Sequence, residues 1–125
     1  MDIVKRNEIP AKQMLGRVTS AAYGKEGVAA IPSGQFVGWA TFSPQYGQMK
    51  PHYHEDEIMY IVRAEHAYVR FGPTKDTMCQ PVKLCAGDII RARDGEWHEF
   101  CFDDDSGVLD VVAVFGIPLC NTVEE

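Results

Sequence analysis

The stretch Pro51-His52-Tyr53-His54-Glu55-Asp56-Glu57 decides how this chain is read. It sets two histidines two residues apart, with three acids directly behind them. In a β-strand, residues i and i+2 point to the same face, roughly 6.6 Å apart along the strand. Imidazole–metal bonds of about 2.0–2.1 Å, added to the reach of the rings, let such a pair meet on one ion. In a helix the same spacing sends the two rings to nearly opposite sides. The His-x-His pair therefore predicts a strand and a metal together.

Outward from this stretch, alternation and β-branched residues dominate, and long 3.6-residue periodicity is missing. Strands are expected near 27–32, 36–43, 48–53, 57–63, 66–71, 81–85, 88–92, 97–102 and 108–115. Turn chemistry separates them, as at Pro44-Gln45-Tyr46-Gly47, Ala86-Gly87-Asp88 and Asp94-Gly95. Many short strands at this spacing read as an all-β sandwich or barrel. A strand near Asp2–Val4 and a short helical turn near Ala11–Met14 are expected before them. The tail Asn121–Glu125 reads as frayed.

A length of 125 residues suits a single domain with one core, here 1–125. The barrel core is expected at about 27–118, with segment 1–26 available for a dimer interface. The net charge of −6, without a basic patch, argues against nucleic acid or an anionic membrane as partner. No apolar run is long enough to span a membrane, and the start Met1–Arg6 lacks the apolar run of a signal peptide, so the expected location is the cytoplasm. Cys79, Cys85, Cys101 and Cys120 form no Cys-x-x-Cys, and four free thiols are expected. Cys101 follows His98 by three residues, but strand alternation puts it on the other face.

The second half of the pattern runs Gly87-Asp88, a strand, the Asp94-Gly95 turn, then Glu96-Trp97-His98. With Gly47, His52-x-His54, Glu57 and the strand through Tyr60-Ile61-Val62, the chain resembles the cupin superfamily, in its small single-domain form. The resemblance covers most of the chain. It implies a jelly-roll β-barrel with a metal inside and pairing as a homodimer. Carried over residue by residue, the metal ligands would be His52, His54, Glu57 and His98. The chain departs from the pattern in three places. Two residues separate His54 and Glu57 where the family has three or four, so Asp56 is a second choice for the carboxylate. Ala64 stands where the motif has glycine, and Arg93 and Asp94 where prolines are common.

Such a site would hold one divalent transition metal, iron, manganese, nickel, zinc or copper. Three imidazoles and a carboxylate around it leave a net charge of about +1. If strand 48–53 is uninterrupted, Gln48 and Lys50 share parity with the histidines and point inward, where Lys50 would anchor an anionic group; the other reading of Lys50 is a rim lysine. Met59, Ile61 and Arg63 would follow Glu57 inward. Tyr60 and Tyr53 are the further candidates for contact with a substrate or a proton, with Tyr53 pointing away by alternation. Trp97 is expected at the pocket mouth. Arg91 and Arg93 read as a solvated edge or an anion clamp, and His66 as structural. The functional expectation is a metal-dependent enzyme acting on a small polar or anionic molecule by oxygenase or isomerase/lyase chemistry. The alternative is a non-catalytic cupin that binds or senses a small ligand.

Overall fold

The computed structural model describes residues 1–25, 27–29, 31 and 34–116, and the backbone of 123–124. Their regular secondary structure is almost entirely β. A large antiparallel sheet runs in the order β1 (Lys12–Met14), β2 (Arg17–Tyr23), β3 (Phe36–Phe42), β10 (Val108–Phe115), β5 (Glu57–Glu65) and β8 (Ile89–Ala92). A smaller one runs β11 (Val123–Glu124), β4 (His52–Tyr53), β9 (Trp97–Phe102), β6 (Ala67–Gly72) and β7 (Val82–Lys83). The two sheets enclose one core but do not close on each other, so the jelly roll is an open one. No described helix is long and apolar enough to cross a membrane.

Strict alternation builds that core. Along β10, Leu109, Val111, Ala113 and Phe115 are buried while Val108, Asp110, Val112 and Val114 face outward. Met59 and Ile61 of β5 and Phe100 of β9 complete the inner layer. Phe42 tilts against Phe100 at 4.6 Å between ring centroids. Such packing of large apolar groups is worth about 1.5–3 kcal/mol per side chain.

The N-terminal part differs from the expectation. Residues 1–5 form no strand, Arg6–Glu8 is a 3-10 turn, and residues 12–23 form the β1–β2 hairpin rather than a helical turn. The large sheet thus begins at Lys12, well before residue 27. Leu15-Gly16 is the two-residue hairpin loop, and Gly16 adopts a positive φ of 81° that glycine accepts at no steric cost. The 3-10 turn folds back onto the chain's own sheet. Arg6 donates to both carboxylate oxygens of Asp110 at 2.9 and 2.8 Å and to Thr41 Oγ1 at 3.0 Å.

Of the expected strand 27–32, the described part contains a parallel bridge between Ala29 and Tyr23. The expected strand 48–53 is reduced to His52–Tyr53. Before it lie the 3-10 turn Pro44–Tyr46, Gly47 at φ 95°, and Pro51, which has no N–H to give to a ladder. Residues Val123–Glu124 pair with β4, so this part of the expected frayed tail is a strand. Cys120 lies outside the described residues. Cys79, Cys85 and Cys101 are free thiols.

Candidate metal centre

The site forms where β4 meets β9. Their pairing sets His52 directly opposite His98, so two imidazoles from distant parts of the chain share one inner face. His54 follows the end of β4. Its carbonyl accepts from Gly95 N at 3.1 Å, which ties it to the turn that launches His98. All three histidines are buried. Ring centroids are 4.4 Å apart for His52–His98, 4.8 Å for His54–His98 and 5.6 Å for His52–His54.

Backbone carbonyls fix the tautomers. His52 Nδ1 lies 2.9 Å from Lys50 O, His54 Nδ1 2.7 Å from Glu55 O, and His98 Nδ1 3.0 Å from Glu96 O. A carbonyl only accepts, so each Nδ1 must carry the proton and donate. The lone pair of every ring therefore sits on Nε2. One ligand atom from each ring falls in a group whose members all lie within 4.8 Å of one another. Carbonyl-anchored rings of fixed tautomer are how metal-binding histidines are oriented.

Burial keeps the His54 and His98 rings neutral, which is the form that binds a metal. It lowers His54, and it pushes His98 down to about 3, with the neighbouring His52 adding to the effect. Glu57 reaches the same cavity. Its Oε1 is 3.4 Å from His54 Nε2, although the carboxylate is not part of the tight histidine group. Burial raises Glu57 to about 8, against a smaller lowering by Arg17. With the ring neutral and the acid protonated, this 3.4 Å contact is not an ion pair in the metal-free protein. A divalent cation would supply the charge that Glu57 needs in order to ionise here. The donor set, three oriented imidazoles with a buried carboxyl beside them, fits such an ion.

The cavity in front of the histidines has a volume of about 210 Å³. Phe36, Phe42, Phe100 and Phe115 form apolar walls, and Lys12 and Arg17 line it from β1 and β2.

No protein-family profile matches the sequence. No curated protein matches it either. Solved structures do. RemF, a polyketide cyclase from Streptomyces resistomycificus, superposes with a TM-score of 0.72 at 14% identity, over 99% of this chain and 84% of that one. An oxalate decarboxylase gives 0.72 at 16% identity, over 97% of this chain and 31% of that one. The Fe(II) form of HppE with an alternative substrate, (S)-1-HPP, gives 0.66 at 15%, over 91% and 59%. This is the cupin fold. The chain spans only part of the length of the last two.

Against the cupin pattern, the short gap after His54 has a structural explanation. The chain leaves the small sheet at Tyr53, bends through residues 54–56, and enters the large sheet at Glu57. The bend resets the alternation, so Glu57 faces the cavity three residues after His54. Asp56, the second choice, faces out. It accepts from Arg91 Nε at 2.6 Å and from Asp94 N at 3.3 Å.

Gln48, Lys50 and Tyr60 are not brought to this site. Without a strand before His52, Met49 turns inward and buries, leaving Gln48 and Lys50 exposed. Tyr60 lies on the outer face of β5, 47% exposed. Trp97 also faces away from the cavity and packs edge-on against Tyr53 at 4.9 Å. Arg63 turns out because the β5–β10 register slips between Asp110 and Val111, and it pairs with Glu65 at 2.6 Å. Cys101 sits on the face opposite His98, and exposed His66 faces Asp103 at 3.6 Å. The charged cavity residues that sequence reading missed are Lys12 and Arg17. The signal for them was the Leu15-Gly16 hairpin loop with Val18-Thr19 behind it.

Proposed function

We propose that this cupin binds a divalent transition metal through His52, His54, His98 and Glu57 and is an enzyme acting on a small polar or anionic molecule. The observation that carries this reading is the gathering of three carbonyl-anchored imidazoles, their ligand atoms within 4.8 Å of one another, in a small cavity. A bound metal would act as a Lewis acid or bind an oxygen pair of the substrate for reaction with dioxygen. The chain's own residues do the rest. The carbonyls of Lys50, Glu55 and Glu96 hold the rings in place, and the four phenylalanines give the reacting groups apolar walls. Glu57 would be the carboxylate that ionises beside a bound metal.

Oxygenase chemistry is favoured over isomerase or lyase chemistry by the placement of the tyrosines. With Tyr53 and Tyr60 outside, a ligated Glu57 leaves no other carboxyl or phenol base among the described residues that line the cavity. The same observation favours a second reading, a cupin that binds or senses a small acid without turning it over. The iron-loaded protein tested for dioxygen uptake with small carboxylates and diketones separates the readings. Substrate-dependent uptake that is lost in His98→Ala supports the oxygenase. Turnover without uptake supports isomerase or lyase chemistry, and saturable binding without turnover supports the sensor. We further propose a homodimer, supported by the apolar outer strip of β5 and β8, where Ile58, Tyr60, Val62 and Ile89 are 45–69% exposed.

A further inference from the structure

The wall facing the histidines carries the opposite chemistry. In the β1–β2–β3 register, Lys12 lies opposite Thr19 and Thr19 opposite Ala40, while Met14 lies opposite Arg17 and Arg17 opposite Phe42. Directly opposed residues share a face. Ala40 and Phe42 are buried in the core, so Lys12 and Arg17 project to the inner face, and both line the histidine cavity. Arg17 Nη1 donates to Leu15 O at 3.1 Å, which anchors its guanidinium to the hairpin loop. The Arg17 charge is felt across the cavity at both His54 and Glu57.

The charged groups lining the cavity are Lys12, Arg17 and Glu57. Glu55, beside His54, adds an acid whose field reaches that ring. Lys12 and Arg17 outnumber the single lining acid, so the lining favours anions, and a divalent ion held at the histidines would add to that preference. A guanidinium is the side chain suited to a two-pronged grip on an oxyanion, and a lysine adds a point charge. Between the two ends the walls are apolar. The volume of about 210 Å³ is below the roughly 300–1,000 Å³ of sites for drug-sized ligands.

We infer that Arg17 and Lys12 form an oxyanion subsite, and that the cavity takes a small organic acid. Its carboxylate or phosphate-type group lies against β1–β2, a short apolar middle sits between the phenylalanines, and an oxygen at its other end faces His52, His54 and His98. The last element rests on the metal reading; the subsite itself does not.

Calorimetric titration of succinate and of inorganic phosphate into the metal-free protein, at constant ionic strength in chloride, reads the subsite alone. Saturable uptake of one or both is expected, and which one binds tells carboxylate from phosphate recognition. Arg17→Met should weaken it by ~10-fold or more, since a charge-assisted hydrogen-bonded pair is lost. Arg17→Lys should weaken it less, and Lys12→Met severalfold. Lys12 lies exposed on an edge strand, so its replacement keeps the test decisive if Arg17→Met fails to fold. In the Co(II)-loaded protein, the bound anion should also shift the visible cobalt absorption, and Arg17→Met should retain cobalt. The inference is overturned if the parent binds neither anion beyond chloride, or if the folded Arg17 and Lys12 variants bind as the parent does. Failure to take up Co(II) would overturn the metal reading alone, because the metal-free titration still decides the subsite.

Discussion

Glu57 is the residue on which the chemistry of the site turns. Its pKa of about 8 stands above the ordinary 4.5, so the folded chain keeps a proton that the unfolded chain releases. This contribution to stability is fully present below pH 4.5 and is lost as the pH rises to about 8. His98 runs the other way. Depressed to about 3 from 6.5, it contributes above pH 6.5 and loses that contribution as the pH falls toward 3. The metal-free protein should therefore be most stable across about pH 4.5–6.5 and weaken on both sides. Glu57→Gln should abolish the loss on the alkaline side, as read by urea melts of chelator-treated protein. Parallel losses in parent and variant above pH 6.5 would contradict the assignment. The same substitution should weaken metal uptake by roughly 100-fold or more, while Asp56→Asn leaves it unchanged. Equal losses in the two variants, measured by competition with a chelator, would place the carboxylate wrongly. The three histidines were legible in the sequence because strand parity and the Gly87-Asp88 context carry them. Lys50 and Gln48 were misplaced because parity holds only along an unbroken strand, and Pro51 breaks this one.

At the scale of elements, the crossover at residues 54–56 and the β1–β2 hairpin matter most. The first resets the inward face so that Glu57 joins histidines from the other sheet. The second supplies Arg17 and Lys12. Its alternation is weak in sequence, since β2 presents Thr19, Ser20, Ala21 and Ala22 with little contrast between faces, and only the Leu15-Gly16 loop marks it. The hairpin depends on close approach to β3. A Cβ on Gly38 would lie 2.6 Å from Ser20 O and 2.9 Å from the Phe36 ring. Gly38→Ala should therefore cost about 1–3 kcal/mol by overpacking, measured by urea denaturation. It should also weaken anion binding, because it displaces the strand that carries Arg17. A fully stable variant with unchanged anion affinity would show that β2 does not need this contact.

For the whole molecule, the alternating strands made the all-β architecture legible, but not the open edges. Sheet closure depends on strand lengths, and β4 and β7 are only two residues long. The outer face of the large sheet exposes Ile58, Tyr60, Val62 and Ile89 on β5 and β8, bordered by Arg91 and Arg63, and Arg6 pins the N-terminal turn over β3 and β10 instead. A second copy meeting that strip would give a dimer, and Ile58→Lys with Tyr60→Lys should yield folded monomers in sedimentation equilibrium. A parent that is already monomeric at high concentration would count against the interface. The central claim is the metal. Elemental analysis of protein purified without a histidine tag, alongside His52→Ala and His98→Ala, tests it most directly. The account predicts a stoichiometric divalent transition metal in the parent, lost in both variants, and a melting temperature that falls on chelation. Folded parent protein that takes up no transition metal, and whose melting is indifferent to added metal and to chelator, would contradict it.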